Sequence, residues 1–403
     1  MNGSSPAAAD LGARLSREFS SCCDFRGRRP ESTERLVRDL VAARRCFGIT
    51  RIGSLSRLDR AGVSVAQVVR PLSLSNAVSQ GKGENIVDAA ASAFMEALEC
   101  WAAERIEHSR IRFARARDLG DEVRDLYADC RVHGFDAGWD QLRLGWVDGY
   151  DLLAARVVPV PLALVDTIYT FPSPHPIAFP RSTRGLAAGS TVLAAIIHAA
   201  LEILERANVA TAERYPRRYP ERQIDTASAP GPRSSRILAR LAEADLAVGA
   251  WLVPGDHHLP VFRCEVIETE RHREIAPMPG EGSACDFTFD SALANALLEA
   301  AQARVTALGG SREDITRASY PERYDRIDLA ARRKAYLAPV DTVQLPADTH
   351  GPASGVGALD TVLRALKDAG GRAVVVVPLH SSKDPAFEVI RLVVPPLPDL
   401  LHA

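Results

Sequence analysis

Two stretches of the chain set acidic pairs into otherwise apolar helices, and that combination restricts the fold more than any other feature. In ASAFMEALECW, Ser92, Glu96 and Glu99 stand at i, i+4 and i+7, which is one face of a helix. In IIHAALEILERAN, His198, Glu202 and Glu205 repeat that spacing, each 106 positions after its counterpart (92 to 198, 96 to 202, 99 to 205). Carboxylates this close repel each other. Two readings stay open. Either each face is solvated and tolerates the repulsion, or a hard cation such as Mg2+ sits against it, bound by one or two carboxylates together with substrate phosphates.

The segments leading into these helices bear on the choice. Residues 71–83 read as a Ser/Gly-rich connection ending in Gln80-Gly81-Lys82-Gly83, whose backbone N–H groups and single ammonium suit phosphate oxygens. A plain turn before a helix is the alternative, and the spacing is not that of a P-loop. Asn85 or Asp88 is placed to cap the helix, expected over 86–107. Residues 185–190 (GLAAGS) precede the second helix, expected over 191–207, in the same way. A third helix, expected over 291–308, sets Glu299 and Gln302 on one face, with Arg304 offering a planar fork to a phosphate and Arg312 in the loop beyond. Surface salt bridging is the other account of that third group.

Strands are expected at 63–69, 157–165, 260–267, 373–378 and 388–394, and a further helix at 236–246. Pro159 and Pro161 mark the second of these strands as an edge or a bend. A Pro-rich loop occupies 171–180. The Arg/Tyr/Pro-rich stretch 214–234 reads as a mobile loop, either plain linker or a contact for an acidic or extended partner. The alternation predicts an α/β or mixed α+β fold. Residues 1–45 form a polar, Arg-rich helical segment and 46–403 one large domain.

The exclusions are broad. A net charge of −2 advertises neither nucleic acid nor a membrane surface. No run approaches the roughly 18 apolar residues of a membrane span, and the N-terminus lacks a signal-peptide pattern, so a cytoplasmic location is expected. Seven cysteines without a CxxC pair argue against a zinc site or a disulfide framework. GxSxG and a strand-following GxGxxG are both absent. Asp256-His257-His258 has no spaced acidic or Cys partner to complete a metal site.

Four strings in order, LDRAGVSVAQVVRPLSLSNAVSQGKG, ASAFMEALECWAAERI, RSTRGLAAGSTVLAAIIHAALEILER and ALLEAAQARVTALGGSRED, together with the closing FEVIRLVVPPLP, resemble the YcaO family over roughly residues 46–398. The resemblance implies a single domain with three motif-bearing helices packed on β-sheet. It also implies that Glu96, Glu99, Glu202 and Glu205 hold Mg2+ around the triphosphate of ATP. Ser79, Lys82, Ser92, Arg206, Gln302 and Arg304 would lie along the nucleotide. Family chemistry begins when a peptide amide oxygen attacks the γ-phosphate. A nucleophile then adds to the amide carbon and phosphate leaves, with no covalent enzyme nucleophile. ECWAAER and VRPLS look like the branch that works with TfuA-type partners, which implies a thioamide product. Azoline formation by a cyclodehydratase is the alternative, although Pro395-Pro396-Leu397-Pro398 and the residues after it lack the PxPxP ending common there. A non-catalytic scaffold is the second alternative. It draws on three departures from the family pattern: Arg184 where Asn is usual, Cys100 where Arg is usual, and Ala207-Asn208 where an acidic residue is usual. The implied partners are a precursor peptide and a separate protein, TfuA-like or a leader-peptide clamp, because the N-terminal segment is short. A homodimer follows family habit.

Overall fold

This computed structural model describes residues 8–20, 30–132, 138–270, 279–312, 326–345 and 351–396. Its first elements are α1 (Leu11–Ser20), α2 (Pro30–Ala43), β1 (Arg51–Ser54), β2 (Ser64–Val69), β3 (Val78–Gly83), α3 (Ile86–Ala103), β4 (Arg112–Ala114) and α4 (Asp121–Tyr127). Next come β5 (Leu144–Asp151), β6 (Arg156–Pro161), β7 (Leu186–Gly189), α5 (Val192–Arg214), β8 (Arg222–Gln223), α6 (Pro232–Glu243) and β9 (Leu246–Leu252). The rest are β10 (Val261–Glu268), β11 (Gly280–Cys285), α7 (Phe289–Gly309), α8 (Arg326–Leu337), α9 (Gly355–Asp368), β12 (Val375–Lys383) and β13 (Ala386–Val393). Helix and strand are mixed throughout, as the pattern predicts.

The strands form three sheets, ordered β1-β2-β3, β11-β10-β9-β8 and β4-β5-β12-β13-β7, with β6 paired only to β5. That position accounts for the two prolines of β6, because an edge strand has a side on which no N–H is needed. Each sheet ends on one strand that leads straight into a motif helix: β3 into α3, β7 into α5, β11 into α7.

Period-two geometry gives such a strand two faces, and both are used. Gly81 of β3 lies against α3, where a Cβ would stand 2.1 Å from the Ala93 nitrogen. Gln80 and Lys82, on the opposite face, reach α7. Gly282 of β11 lies against α7, with a Cβ position 2.3 Å from the Ala300 nitrogen, while Ser283 reaches α5. Along β7, Ala187 joins the core around α5 and Ala188 the core around α3. Each helix is thereby held between two strands, and the arrangement closes: α3 between β3 and β7, α5 between β7 and β11, α7 between β11 and β3.

The Gly-rich stretches 80–83 and 185–190 are therefore not connecting loops, as expected from their composition. Gln80-Gly81-Lys82-Gly83 lies inside β3, and Leu186–Gly189 is β7. Missing side chains let a helix approach the strand backbone, so glycine here marks close packing rather than a turn. The first motif helix ends at Ala103, short of residue 107, and the second runs past 207 to Arg214. The stretch 214–234 contains β8 and the start of α6 rather than a featureless loop. Strands β1, β4, β5, β9 and β11 lie where none is expected.

Fully buried Phe94 and Leu98 anchor α3, each side chain contributing about 1.5–3 kcal/mol by leaving water. The N-terminal helices join these cores. Leu11 and Leu15 of α1 pack with Ile196 of α5, and Leu40 of α2 packs with Phe94. The Glu18 carboxylate accepts from the Val192 and Leu193 N–H groups at 3.1 and 2.9 Å, capping the start of α5.

Candidate active site

The three motif helices share one register. Asn85, Thr191 and Thr288 cap them, each side chain accepting from N–H groups of the first turn. Glu96, Glu202 and Glu299 each stand 11 residues after the cap (85 to 96, 191 to 202, 288 to 299), and Glu99, Glu205 and Gln302 stand three further on. Equal distances from equal starts set equal faces, so all three pairs point into the ring.

Backbone groups hold them there. The first carboxylate of each pair accepts from the strand leading into its own helix. Gln80 N–H donates to Glu96 at 3.2 Å and Gly185 N–H to Glu202 at 3.1 Å, while Ser283 N–H donates to Glu299. The second member reaches the other strand flanking its helix. Ala188 N–H donates to Glu99 at 2.8 Å, Ser283 Oγ donates to Glu205 at 2.6 Å, and Gln302 Nε2 donates to the Gln80 carbonyl at 3.2 Å.

Electrostatics divide the site into two parts. Burial drives Glu99 well above the ordinary carboxylate range despite the Ala188 bond, and repulsion from Glu96 and Glu202 adds to it. Burial also raises Glu202, against Arg206 and the Gly185 N–H. In the second part, burial and the neighbouring Glu299 push Glu205 up to about 7. Glu299 goes down instead: burial opposes its charge, but the Lys82 ammonium at 2.5 Å and the charge of Arg206 outweigh it. Arg206 Nε lies 3.6 Å from Glu205, and its Nη2 lies 3.8 Å from Glu299.

Of the residues singled out in the sequence, Glu96, Glu99, Glu202, Glu205, Lys82, Arg206 and Gln302 meet in this ring. Ser92 is exposed on the Glu96 face, and His198 is exposed ahead of Glu202. Ser79 is buried in β3, on the side that Gly81 and Gly83 turn to α3. Arg304 does not hold its fork open for a phosphate. It is fully buried, with Nε 2.8 Å and Nη2 3.1 Å from the Asp59 carboxylate and Nη2 2.9 Å from Glu268. The Gln80 N–H, expected to suit a phosphate, donates to Glu96 instead, and the N–H groups of Gly185 and Ala188 and the hydroxyl of Ser283 carry no expectation from the sequence. The cap register carries their signal, since it aligns the three strand-helix units.

The departures from the family pattern have local accounts. Arg184 lies in the field of Glu202, and burial lowers it to about 10. Cys100 is buried and its thiol is pushed up to about 12 by desolvation, which leaves it without nucleophilic character near neutrality. Ala207 and Asn208 are buried on α5. The Asp256-His257-His258 stretch is held by local contacts. Asp256 accepts from the Tyr219 hydroxyl, and His257 Nδ1 accepts from the Leu259 N–H. Cys22, Cys23 and the tail at 397–403 lie outside the described residues.

The donor set suits a hard cation. Glu99, repelled by both Glu96 and Glu202, sits in the environment a divalent ion would relieve. Among the described residues no group of three His, Cys, Asp or Glu side chains converges tightly enough to hold a metal by itself. Mg2+ does not require such a cage, because it keeps waters and takes phosphate oxygens beside one or two carboxylates.

A family model described as an ATP- and Mg2+-binding YcaO cyclodehydratase matches residues 80–397. An uncharacterised protein of Methanothermobacter thermautotrophicus is 30% identical over 92% of this chain and 94% of its own length. A protein of Rhizobium leguminosarum bv. trifolii, named for its place in the tfuA 3' region, is 29% identical over 96% of this chain and 92% of its own. Among solved structures, YcaO from Methanopyrus kandleri bound with AMPPCP and Mg2+ superposes with a TM-score of 0.66 at 21% identity, covering 91% of this chain and 90% of that one. A heterocyclase in complex with substrate and cofactor gives a TM-score of 0.68 at 18% identity, covering 90% of this chain and 52% of that one. The E. coli microcin synthetase McbBCD complex with pro-MccB17 bound gives 0.61 at 12% identity, covering 85% of this chain and 87% of that one. At these identities the structural likeness carries the fold.

Proposed function

Because the chain belongs to the YcaO family, whose model describes ATP and Mg2+ binding, we propose that it activates a backbone amide of a ribosomally made peptide, releasing ADP and phosphate and giving a thioamide alongside a TfuA-like partner protein. The observation that carries the reading is the closed ring that brings Glu96, Glu99 and Glu202 together on one side of Lys82, Glu205, Glu299 and Arg206. Glu96, Glu99, Glu202 and Glu205 would hold Mg2+, and Lys82, Arg206 and Gln302 would lie along the triphosphate, with Ser79 and Ser92 at its margin. Bound there, Mg2+ and ATP supply an electrophilic phosphorus that turns the amide oxygen into a leaving group.

The chain's own part is positioning and charge neutralisation. Strand N–H groups fix the carboxylate rotamers before anything binds. Lys82 is paired with Glu299 and stands ready to exchange that partner for a phosphate oxygen. Arg206, half-exposed, pairs with Glu205 and Glu299 and lies in the field of Glu202 of the other half. Arg304 contributes from behind, by tying α7 to Asp59 and Glu268 so that Glu299 and Gln302 face inward. Cys100 and Cys285, both in the field of the site's carboxylates, are buried with their thiols pushed up by desolvation, which fits a reaction whose nucleophile comes from outside the enzyme.

The thioamide branch draws on the relative named for the tfuA region. Azoline formation is the second reading, favoured by the family description as a cyclodehydratase and by the heterocyclase of similar fold. A precursor peptide, a TfuA-like or clamp partner and a homodimer belong to the proposal, as does cytoplasmic action. Among the described residues no helix is long and apolar enough to cross a membrane. A scaffold reading, with no turnover, is tested by the same experiment as the enzyme reading. Glu96→Ala and Glu202→Ala are each expected to abolish Mg2+-dependent heat on AMPPCP addition and peptide-dependent ADP release while the circular dichroism spectrum is kept. Unchanged turnover in both variants overturns the proposal, and a wild-type protein without metal-dependent heat favours the scaffold. The product mass separates thioamide, by oxygen-to-sulfur exchange, from azoline, by loss of water.

A further inference from the structure

A second polar cluster adjoins the carboxylates and is used by none of the steps above. Asp166, which follows the turn after β6, is buried. Its Oδ2 meets His175 Nε2 at 2.6 Å, and its Oδ1 accepts from Arg181 Nη2 at 2.5 Å. Arg181 stacks over the Tyr169 ring with its guanidinium carbon 4.9 Å from the centroid. Beneath them lies Arg391 of β13, only 4% exposed. Its Nη2 donates to the Ser182 carbonyl at 2.7 Å, while its buried Nε and Nη1 have no partner among the described residues. Arg391 interacts electrostatically with Tyr169, Glu202 and Asp166, so the cluster and the candidate metal-binding carboxylates share a wall.

Buried N–H groups are almost always satisfied, by protein, water or ligand. Two on one guanidinium, beside a carboxylate site, point to an oxygen that arrives from outside. Each guanidinium already has a carboxylate in its field, Asp166 for Arg181 and Glu202 with Asp166 for Arg391. A neutral oxygen acceptor fits that setting better than an anion. The same loops carry an apolar lip. Tyr169 N–H donates to the Leu74 carbonyl at 2.8 Å, joining the 71–77 loop to the 168–177 loop. On that junction Leu72 is 86%, Phe171 100% and Ile177 73% exposed.

We propose that this cluster is the acceptor subsite: Arg391 receives the carbonyl oxygen of the amide to be activated, and the lip of Leu72, Phe171 and Ile177 holds apolar side chains of the same extended, uncharged peptide segment. The proposal rests on the amide-activation reading and adds to it the place and chemical character of the acceptor. The lip and Asp166, His175 and Arg181 belong to neighbouring loops, and the cluster meets Glu202 through Arg391, so a peptide lying on the lip delivers its backbone to the Glu202 side of the site. His175, oriented by Asp166, then acts as a positioning residue beneath the peptide.

The test uses the full chain with Mg2+ and AMPPCP and a random decapeptide library that lacks charged residues and carries one benzoylphenylalanine. Photolabelled peptides are mapped by mass spectrometry. Labels are expected on 71–77 and 168–177. Phe171→Ser and Leu72→Ser are expected to lower labelling about tenfold in combination, and Arg391→Lys by a similar factor, all with unchanged AMPPCP affinity. The lip variants are fully surface changes, so the test survives if Arg391→Lys fails to fold. Labels confined to other surfaces, no labelling above that of heat-denatured protein, or full labelling of the lip variants overturns the proposal. So does a dimer that becomes a monomer on Phe171→Ser with labelling kept, which would assign the lip to a second copy. If AMPPCP does not bind the wild-type protein at all, it is the amide-activation reading that fails. If AMPPCP binds and the labels miss these loops, the acceptor subsite alone is lost.

Discussion

Glu205 offers a direct measure of how much a buried carboxylate of the site costs the fold. Burial and Glu299 raise its pKa from 4.5 to about 7. Between those two values the folded protein keeps a proton that the unfolded chain has released, so stability falls as pH rises through the window, and the deficit is complete above pH 7. The gap corresponds to about 3 kcal/mol. Glu205→Gln keeps an acceptor for Ser283 and cannot ionise. At pH 8 the variant is therefore expected to be more stable than the wild type by up to about 3 kcal/mol, and at pH 4 the two should be nearly equal. Urea unfolding followed by tryptophan fluorescence at the two pH values reads this difference from the midpoints, provided the slope is unchanged. Mg2+ with AMPPCP at about a thousand times its dissociation constant should reverse the order, because the ligand then stabilises by about 4.1 kcal/mol and the variant has lost a ligand carboxylate. A Gln variant no more stable than the wild type at pH 8, or equally shifted at pH 4 and 8, would refute the claim that Glu205 is a strained charge awaiting a cation.

Three further outcomes follow from particular contacts. Arg304→Met removes the buried cation that Asp59 and Glu268 share and should cost about 3–5 kcal/mol in denaturant unfolding; an unchanged midpoint with lost AMPPCP affinity would instead make Arg304 a nucleotide ligand. Gly81→Ala drives a Cβ to within 2.1 Å of the Ala93 nitrogen, so it should cost about 1–3 kcal/mol and alter the near-UV spectrum, whereas Gly53→Ala on β1, with nothing within 4 Å, should do neither. Lys82→Met removes the cation that holds Glu299 down, so AMPPCP affinity should fall at least about tenfold, by the loss of one charge-assisted contact, and stability at pH 8 should drop while that at pH 4 changes little; equal losses at both pH values would show that packing, not charge, is at stake.

How much of this was legible depends on the range of the interactions. Acidic pairs at i, i+3 on Ala-rich helices are a local pattern, and helical periodicity carried Glu96, Glu99, Glu202 and Glu205 onto inward faces. The strands before them were misread because their glycines are there for a helix that packs across the strand, and only the tertiary structure reveals that helix. β11, GEGSAC, has the same cause and was missed altogether. Arg304 went astray for a related reason. Its partner Asp59 lies 245 residues earlier in the chain, and nothing near residue 304 distinguishes a guanidinium aimed at a phosphate from one aimed at a buried carboxylate. The third unit was legible in part: Glu299 and Gln302 stood out, but Gln in place of a second Glu hid the match to the first two helices.

The shared register of the caps has a consequence for insertions and deletions. One residue added between Asn85 and Glu96 turns everything after it by about 100° around the α3 axis, since a helix holds about 3.6 residues per turn. Glu96 and Glu99 would then face a neighbouring strand instead of each other's partners. The same residue added between Gly309 and Gly355, or elsewhere outside the three units, leaves every cap-to-carboxylate phase untouched. The chain therefore has three stretches of counted length, and between them its length is free to drift.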